Sequence, residues 1–434
     1  MKKKNIVYVG LSVDIIHEGH INILKTAYKY GDVIVGLLTD EAIASYKNIP
    51  HLNYFRRKVI VENIKFVKKV IPQETLSYVP NLKLIKPNFV VHGDDWKKGV
   101  QKQTRKDVIK VLKKWSGKLI EPKYTKNISS TKIKNMVLEI GSSPQNRISK
   151  LKRLISSKQI VKILESHNSL TGLIIENMKI NKRYKLLEFD GMWSSSLTDS
   201  ATKGKPDNSS LDFSSRISSL NDMMDVTTKP LVFDADNGGQ IEHIPFLIRS
   251  LERSGVSAII IEDKVGLKKN SLFKNQSEAK QDKPNLFAKK IKKICFSRQN
   301  NDFMVIARIE SFILGKGLKD ALKRAEIYSK AGADAILIHS KEKTPSEIFS
   351  FAKKFKKSKN FKPMVSVPST YSKVYEKDLI KNGFKIVMYA NQVLRAAYPA
   401  MQNAAKLILE KNRALEIDKK IIPIKEIINL IKND

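Results

Sequence analysis

The sequence is poor in cysteine, with Cys295 as the only thiol in 434 residues. One cysteine excludes an internal disulfide and is typical of a reducing compartment, so we expect a cytoplasmic protein in which Cys295 is a small core residue. Apolar runs never approach the roughly 20 residues that a membrane span needs. The basic start at residues 1–4 precedes an apolar run too short for a signal peptide. We therefore expect no membrane partner.

Acidic residues are scarce relative to basic ones, with 43 Asp and Glu against 80 Lys and Arg and a formal charge of +37. Clustered basic groups would indicate a nucleic-acid partner. Here the lysines are scattered along the chain, without a nucleic-acid-binding motif or interleaved aromatic residues. We expect no nucleic-acid partner and a solvated basic surface that favours anionic substrates.

Strand patterns alternate with helix patterns along the chain, which predicts an α/β protein with parallel strands. A (β/α) barrel takes roughly 250 residues and leaves room for a smaller domain. The polar cluster at 141–146 interrupts the alternation, and we predict domains at 1–140 and 151–434 with a linker at 141–150. A helix at 151–165 should cover the foot of the barrel. The first strand of the barrel is predicted at 186–189. The remaining strands are predicted at 231–234, 258–261, 305–309, 335–339, 364–367 and 386–389.

Four of the predicted barrel strands end in polar side chains, at Asp234 and Asp236, at Glu262, at Arg308 and at His339. The loop-facing ends of barrel strands meet at one mouth, so these side chains should lie together. Carboxylates suit Mg²⁺, whereas Arg, His, Lys and Asn suit a phosphoryl group. The pattern predicts a site for a metal-bound, phosphorylated small acid.

The segment 262–271 resembles the E-D-K-x5-N-S loop of phosphoenolpyruvate mutases, in the isocitrate lyase/phosphoenolpyruvate mutase superfamily. Further matches run from about Leu151 to the C-terminus, including W-S-S-S at 193–196, D-A-D at 234–236 and A-R-I-E at 307–310. The resemblance implies a (β/α)8 TIM-type barrel that interconverts phosphoenolpyruvate and phosphonopyruvate with Mg²⁺. It also implies a homo-oligomer, dimer or tetramer, in which the C-terminal helix packs on a partner's barrel.

The same resemblance assigns roles to residues of this chain. Asp234 is expected to bind the metal directly, with Asp236, Glu262 and Asp207 acting through water. The expected catalytic residues are Asn270, Lys268, Arg308 and His339. The expected substrate-binding residues are Trp193, Ser194, Ser195, Ser196 and Ser271. Phosphonopyruvate hydrolase is the alternative within the superfamily. A lyase is disfavoured because the loop lacks the K-x-C-G-H cysteine of such enzymes.

In the N-terminal domain, His17 and His20 bracket Gly19 just before a predicted helix, where two imidazoles and helix N–H groups can converge on an anion. A metal half-site or a purely local hydrogen-bonding role are the alternatives. The order G-x-x-x-D-x-x-H-x-G-H, followed by H-G-D-D-W at 92–96, resembles cytidylyltransferases of the glycerol-3-phosphate type. This resemblance covers about residues 5–138 and implies a Rossmann-like nucleotidyltransferase domain.

In that family the two histidines, here His17 and His20, stabilise the α-phosphate of CTP while pyrophosphate leaves. The expected nucleotide-binding residues are Gly10, Asp14, Gly19, Lys47, Arg57, Gly93, Asp94, Asp95, Lys123, Ser129, Ser130 and Thr131. The segment at 123–131 departs from the family pattern, with Lys123 in place of Arg and Asn127 in place of Gly. The acceptor is expected to be a phosphonate or phosphate monoester such as 2-aminoethylphosphonate. A non-catalytic nucleotide-binding domain is the alternative.

Overall fold

The computed structural model describes residues 4–47, 49–97, 101–123, 141–182, 185–266, 268–272 and 279–430. Five parallel strands form the N-terminal sheet in the order β3-β2-β1-β4-β5. They are β1 Ile6–Leu11, β2 Asp32–Leu38, β3 Lys69–Gln73, β4 Phe89–Val91 and β5 Lys118–Ile120. The strand β1 lies at the centre, so the loop that follows it opens where the strand order reverses. Ligands bind at this position in open α/β sheets.

Among the described residues of this half, five helices and two short 3₁₀ turns accompany the sheet. The helices are α1 Glu18–Tyr28, α2 Asp40–Ala44, α3 Tyr54–Glu62, α4 Val79–Ile85 and α5 Lys102–Leu112, and the 3₁₀ turns are Asp94–Lys97 and Lys113–Trp115. Three of the helices begin at a side-chain cap that accepts a backbone N–H, at His17, Thr39 and Asn53. Such caps satisfy donors that have no partner inside the helix. The alternation of strand and helix confirms the predicted α/β class.

Eight parallel strands close into a barrel in the order β10-β11-β14-β15-β16-β17-β6-β9. They are β6 Val161–Glu165, β9 Gly191–Ser194, β10 Leu231–Asp234, β11 Ala258–Glu262, β14 Met304–Ile309, β15 Ala335–Ile338, β16 Met364–Ser366 and β17 Phe384–Tyr389. Two small antiparallel pairs stand outside the barrel, β7 Lys179–Lys182 with β8 Lys185–Glu188, and β12 Lys264–Val265 with β13 Lys280–Gln281. The predicted TIM-type barrel is confirmed.

Helices precede the barrel, surround it and extend beyond it. They are α6 Pro144–Ser157, α7 Ser169–Asn177, α8 Ser196–Thr202, α9 Phe213–Asp225, α10 Ile244–Arg253, α11 Pro284–Ser297, α12 Gly317–Lys330, α13 Ser346–Phe355, α14 Glu376–Lys381, α15 Gln392–Lys411, α16 Leu415–Asp418 and α17 Ile424–Ile428. Cys295 lies on α11, half-buried, with its thiol 3.3 Å from the Gly332 carbonyl oxygen. In the described part of the chain, no helix combines the length and apolar character needed to cross a membrane.

The strands of the barrel alternate strictly between its interior and its helical coat. On β11, Ala258 and Ile260 join the interior cluster, whereas Ile259 and Ile261 join the cluster that packs against the helices. The same period of two continues to the mouth, because successive strand residues point to opposite faces. Glu262 therefore turns into the barrel, and Asp263 turns outward to Arg324 and Tyr328.

Two boundary predictions around the start of the barrel are wrong. Residues 161–165 form the first barrel strand rather than the end of a helix, and the helix α6 begins earlier, at Pro144, inside the predicted linker. Residues 186–189 lie outside the barrel in and beside the β7–β8 hairpin, and Gly191–Ser194 supplies the second strand. The stripe of Leu and Ile side chains on α6 continues into residues 161–165, whose apolar pattern fits both the helix period and a buried strand. In the folded chain these residues pack as a strand of the barrel.

Burial on β11 predicts a clear effect on stability. Replacing Ile260, which is 0 % exposed in the barrel interior, with Ala should lower the free energy of unfolding by about 2–5 kcal/mol, because lost contacts and a residual cavity add together. Replacing Phe296, which is 87 % exposed on α11, should change it by less than about 0.5 kcal/mol. Calorimetric or denaturant unfolding measures both. Equal losses would contradict the inward assignment of Ile260.

Candidate active sites

The mouth of the barrel holds a cluster of buried carboxylates around one ammonium group. Lys268 Nζ lies 2.8 Å from Asp207 Oδ1 and also forms an ion pair with Asp236. The same ammonium donates to the Ser196 hydroxyl, which in turn donates to Asp234 Oδ2 over 3.3 Å. Burial alone would lower the pKa of Lys268, but the surrounding carboxylates outweigh burial and raise it. A cation is therefore strongly favoured at this position.

A second group of charges lies across the mouth. Arg308 donates to Glu310 Oε1 over 2.6 Å and to the Ser271 hydroxyl over 2.8 Å, and its Nη2 lies 3.1 Å from His339 Nδ1. Arg308 also lies 3.4 Å from Glu262 Oε2. The alternation of the strands places Arg308 and His339 inside, each two residues beyond an interior apolar residue, Ile306 and Leu337. This half of the mouth can hold an anion between the guanidinium and the imidazole.

The loop after β11 reaches back over the cavity. Its base is fixed by the pairing of β12 with β13, and by Lys264, whose Nζ donates to the Lys269 carbonyl over 2.7 Å and to Ser271 Oγ over 2.9 Å. Near its tip, Asn270 Nδ2 donates to Asp207 Oδ2 over 2.7 Å. Leu267 lies outside the described residues. Because Lys268 and Asn270 both contact the carboxylate of Asp207, this part of the loop is held closed over the carboxylates.

The predicted serine cluster divides into two parts. Trp193, Ser195 and Ser196 line the cavity together with Asp234, Glu262 and the loop. Ser194 does not line it, because its hydroxyl turns away and donates to Asp199 Oδ2 over 2.6 Å. The correction follows from the alternation on β9, in which Trp193 faces the interior and its neighbour faces the helices.

Sequence reasoning missed three residues that support this site. Glu310 accepts from Arg308 and Ser271, Lys264 anchors the loop, and Arg216 on α9 donates to the Asp234 carbonyl oxygen over 2.6 Å and to Asp199 Oδ2 over 2.9 Å. Glu310 could have been found from its place two residues beyond Arg308, on the same face. Nothing local to Arg216 indicates its role, because helix α9 meets β10 only in the fold.

The donor set fits a hard divalent cation. Asp234 and Glu262 are buried, and the side chains of Asp207 and Asp236 are 7 % and 10 % exposed, so together they form an oxygen-rich concavity around the ammonium of Lys268. Among the residues that the structure describes, no three His, Cys, Asp or Glu side chains approach closely enough to ligate one ion directly. One direct carboxylate with water-mediated neighbours agrees with both observations, and Mg²⁺ commonly keeps several waters in this way.

The second cavity lies in the N-terminal sheet, at the end of β1, with a volume of about 240 Å³. It is lined by backbone of Gly10 and Gly19, by imidazoles, and by one lysine. The predicted residues that line it are Gly10, His17, Gly19, His20, Lys47, Gly93 and Asp95. A side chain at position 10 would meet the Tyr78 ring at 2.2 Å, which explains why glycine stands there.

The two histidines of this cavity lie side by side, with ring centroids 3.9 Å apart. His17 Nδ1 accepts the Gly19 N–H over 3.2 Å, which caps α1 and leaves Nε2 to carry the proton of the neutral ring. Burial, His17 and Lys47 lower the pKa of His20 to about 4, and burial lowers the pKa of His17. Neutral imidazoles beside a buried lysine can donate hydrogen bonds to a phosphate, and neither ring has to lose a proton first.

Several predicted nucleotide-binding residues do not reach the cavity. Arg57 is 0 % exposed, and its guanidinium donates to the carbonyl oxygens of Ser12, Leu38 and Leu52 and to Asp40. It does not line the cavity, and its role as a phosphate-binding cation stays a prediction. Asp14 instead accepts the N–H groups of His51 and Leu52. Asp94 and Lys123 do not line the cavity either. Ser129, Ser130 and Thr131 lie outside the described residues.

Residues 151–409, more than half of the chain, match the family described as phosphoenolpyruvate phosphomutase. The chain belongs to the phosphoenolpyruvate phosphomutase family. Residues 8–136 match the family described as cytidylyltransferase-like, so this member of the phosphomutase family is an enzyme with a cytidylyltransferase-like domain before the barrel.

Similar proteins support each half. The phosphoenolpyruvate phosphomutase of Tetrahymena pyriformis is 36% identical over 295 residues, which are 67% of this chain and 93% of that protein. A crystal structure of phosphonopyruvate hydrolase superposes with a TM-score of 0.58 at 31% identity, covering 65% of this chain and 94% of that one. The ethanolamine-phosphate cytidylyltransferase of Dictyostelium discoideum is 35% identical over 142 residues, which are 32% of this chain and 38% of that protein.

The electrostatics of Glu262 predict a pH-dependent affinity for Mg²⁺. Burial raises the pKa of Glu262 to about 7, so its proton must leave before the carboxylate can help to hold a cation. Affinity should therefore rise about ten-fold between pH 6 and pH 8, and Glu262→Gln should remove this part of the rise. Titration calorimetry of Mg²⁺ at the two pH values checks it. An equal rise in the Gln variant would contradict the assignment.

Proposed function

We propose that the barrel interconverts phosphoenolpyruvate and phosphonopyruvate. In this reaction the bond between phosphorus and the enol oxygen breaks, and the electron pair of the enolate forms a new bond from carbon to phosphorus. No water takes part, so the site has to exclude it. The observation that carries the proposal is the closed loop, in which Lys268 and Asn270 both contact Asp207 above the carboxylate cluster.

Some residues of the mouth would bind the metal, and others would orient the substrate. Asp234, with Asp236, Glu262 and Asp207, would hold Mg²⁺, which when bound neutralises the enolate and carboxylate oxygens of the substrate. Backbone amides near Ser195 and Ser196 orient the oxyanion. Arg308, His339 and Asn270 hold the phosphoryl group as it passes from oxygen to carbon. Lys268 seals the mouth and balances the carboxylates, while Trp193 and Ser271 complete the wall.

Phosphonopyruvate hydrolase is the second candidate, because a hydrolase of known structure is 31% identical over most of its length. The two reactions differ in whether water reaches the phosphoryl group. The contacts of Lys268 and Asn270 with Asp207 favour the mutase, because they close the mouth from the loop side.

Loss of the metal-binding carboxylate tests the barrel site. Asp234→Ala should reduce the conversion of phosphonopyruvate to phosphoenolpyruvate by at least about 10³-fold, because the charge that stabilises the enolate loses its direct ligand. A coupled assay for phosphoenolpyruvate, with saturating Mg²⁺, measures it. Asp222→Ala, on the exposed face of α9, is the control and should be unchanged. Retained activity in Asp234→Ala would disprove the assignment.

For the N-terminal domain we propose transfer of a cytidylyl group from CTP to a phosphonate or phosphate monoester, with release of pyrophosphate. The support is the cavity at the end of β1, where His17, His20 and Lys47 converge. A 2-aminoethylphosphonate acceptor would link the halves chemically, since one makes a carbon–phosphorus bond and the other activates a phosphonate.

His17→Ala should abolish most pyrophosphate release from CTP and leave the mutase reaction unchanged. Removing one donor to the transition-state phosphate costs about 10²–10³-fold in rate, by analogy with an oxyanion-hole donor. Asn22→Ala, on the same helix, is the matched control. Assays of both reactions on one preparation decide the matter, and a parallel loss of both in His17→Ala would contradict separate chemistry. Wild-type protein that released no pyrophosphate with any acceptor would favour the non-catalytic alternative.

We also propose that the chain is a homo-oligomer, a dimer or tetramer, through its C-terminal helices. None of the 20 residues of α15, all within the described chain, is buried, and Tyr398, Met401 and Leu409 expose large apolar side chains. Exposed apolar helix faces mark interaction sites. Replacing Met401 and Leu409 with Asp should shift the mass measured by light scattering to that of the monomer. An unchanged mass would contradict this contact.

A further inference from the structure

The cavity of the N-terminal sheet is built partly against the barrel. Its lysine, Lys47, follows helix α2, and its Nζ lies 3.2 Å from Ser12 Oγ. Ala44 and Ile49, on either side of Lys47, are buried in the same apolar cluster as Leu151, Leu154 and Ile155 of helix α6, which covers the foot of the barrel. The segment that carries Lys47 therefore packs on the barrel through Ala44 and Ile49, and on its own sheet through Ala42, Ile43 and Tyr46.

One side chain of the barrel half fixes this segment at both ends. Arg153, on α6, donates to Asp40 Oδ2 over 3.0 Å, at the start of α2. It also donates to the carbonyl oxygens of Pro50 over 2.8 Å and of His51 over 2.8 Å, just beyond Lys47. A guanidinium presents several donors in a rigid plane, so it can hold two separate stretches of the chain in fixed positions relative to one another.

Further contacts connect these anchor points to the wall of the cavity. The other carboxylate oxygen of Asp40 accepts from Arg57 over 2.8 Å, and Arg57 donates to the Ser12 carbonyl over 2.6 Å. On the far side, Asp14 accepts the N–H of His51 over 2.7 Å. The backbone carbonyl oxygen of Tyr46, a residue that lines the cavity, accepts the N–H of Leu186 from the barrel half over 3.3 Å.

We propose that Arg153 is a positioning residue for nucleotidyl transfer, supplied to the N-terminal cavity by the barrel half of the chain. It touches no substrate and acts through Lys47, by fixing the segment that carries this lysine. The inference rests on the proposed cytidylyl transfer. It adds that the N-terminal domain needs helix α6, although the two reactions use separate residues. Without Arg153, Lys47 would move, and binding of the CTP phosphates would weaken.

The test compares four variants in the full-length chain: Arg153→Gln, Lys152→Gln, Lys47→Met, and the double variant Arg153→Gln with Lys47→Met. Lys152 is the matched control, because it lies on the same helix and its ammonium contacts Asn301 and Asp302 on the surface. The readouts are KM and kcat for CTP in pyrophosphate release, and the rate of the mutase reaction.

Arg153→Gln should raise the KM for CTP at least ten-fold with a smaller change in kcat, while its mutase rate stays within two-fold of the wild type. Lys152→Gln should match the wild type in both reactions. The double variant should behave as Lys47→Met alone, since residues that act through one another are not additive. Unchanged CTP kinetics, losses that multiply in the double variant, or a mutase rate that falls in step would each overturn the proposal.

Hydrogen exchange separates this proposal from the proposed function. In Arg153→Gln, but not in Lys152→Gln, the backbone amides of residues 41–47, 49, 51 and 52 should lose protection. If the wild type released no pyrophosphate and bound no CTP, the proposed nucleotidyl transfer would fail, and retained protection in Arg153→Gln would independently overturn the role of Arg153.

Discussion

The structure of the barrel site depends on the placement of positive charge among buried carboxylates. Asp207, Asp234, Asp236 and Glu262 converge at one mouth, and leaving them uncompensated would be costly in a buried site. Lys268 compensates from the loop, and Arg308 compensates from the barrel wall. The position of Lys268 therefore depends on the charge of the site, because its ammonium pairs with the carboxylates of Asp207 and Asp236.

The two halves of the chain are joined more closely than a linker between independent domains would allow. Helix α6 serves both, since its apolar side closes the foot of the barrel and its Arg153 reaches the segment around Lys47. The mouth that holds the carboxylate cluster lies at the opposite ends of the strands, so this contact does not involve the residues of that site. The arrangement supports separate chemistry with shared architecture.

The amino-acid pattern predicts the barrel well where the alternation of inward and outward residues continues without interruption to the polar residue at the end of the strand. Ile260 and Glu262 are one such pair, and Leu337 and His339 are another. It fails where a local pattern is ambiguous, as at residues 161–165. This segment is too short for its apolar pattern to distinguish a helix from a buried strand. The motif position of Arg57 did not indicate its contacts, because its partners Ser12, Leu38 and Asp40 come together only in the fold. Arg153 carries no sequence signal for its contact, since an arginine on an amphipathic helix is ordinarily a solvated residue.

The most direct test of the central claim is phosphorus NMR of the purified chain with phosphonopyruvate and Mg²⁺. A mouth closed by Lys268 and Asn270 predicts that the phosphonopyruvate signal is replaced by that of phosphoenolpyruvate, with orthophosphate absent on the timescale of turnover. Orthophosphate as the principal phosphorus product, formed together with pyruvate, would contradict the claim and identify the reaction as hydrolysis.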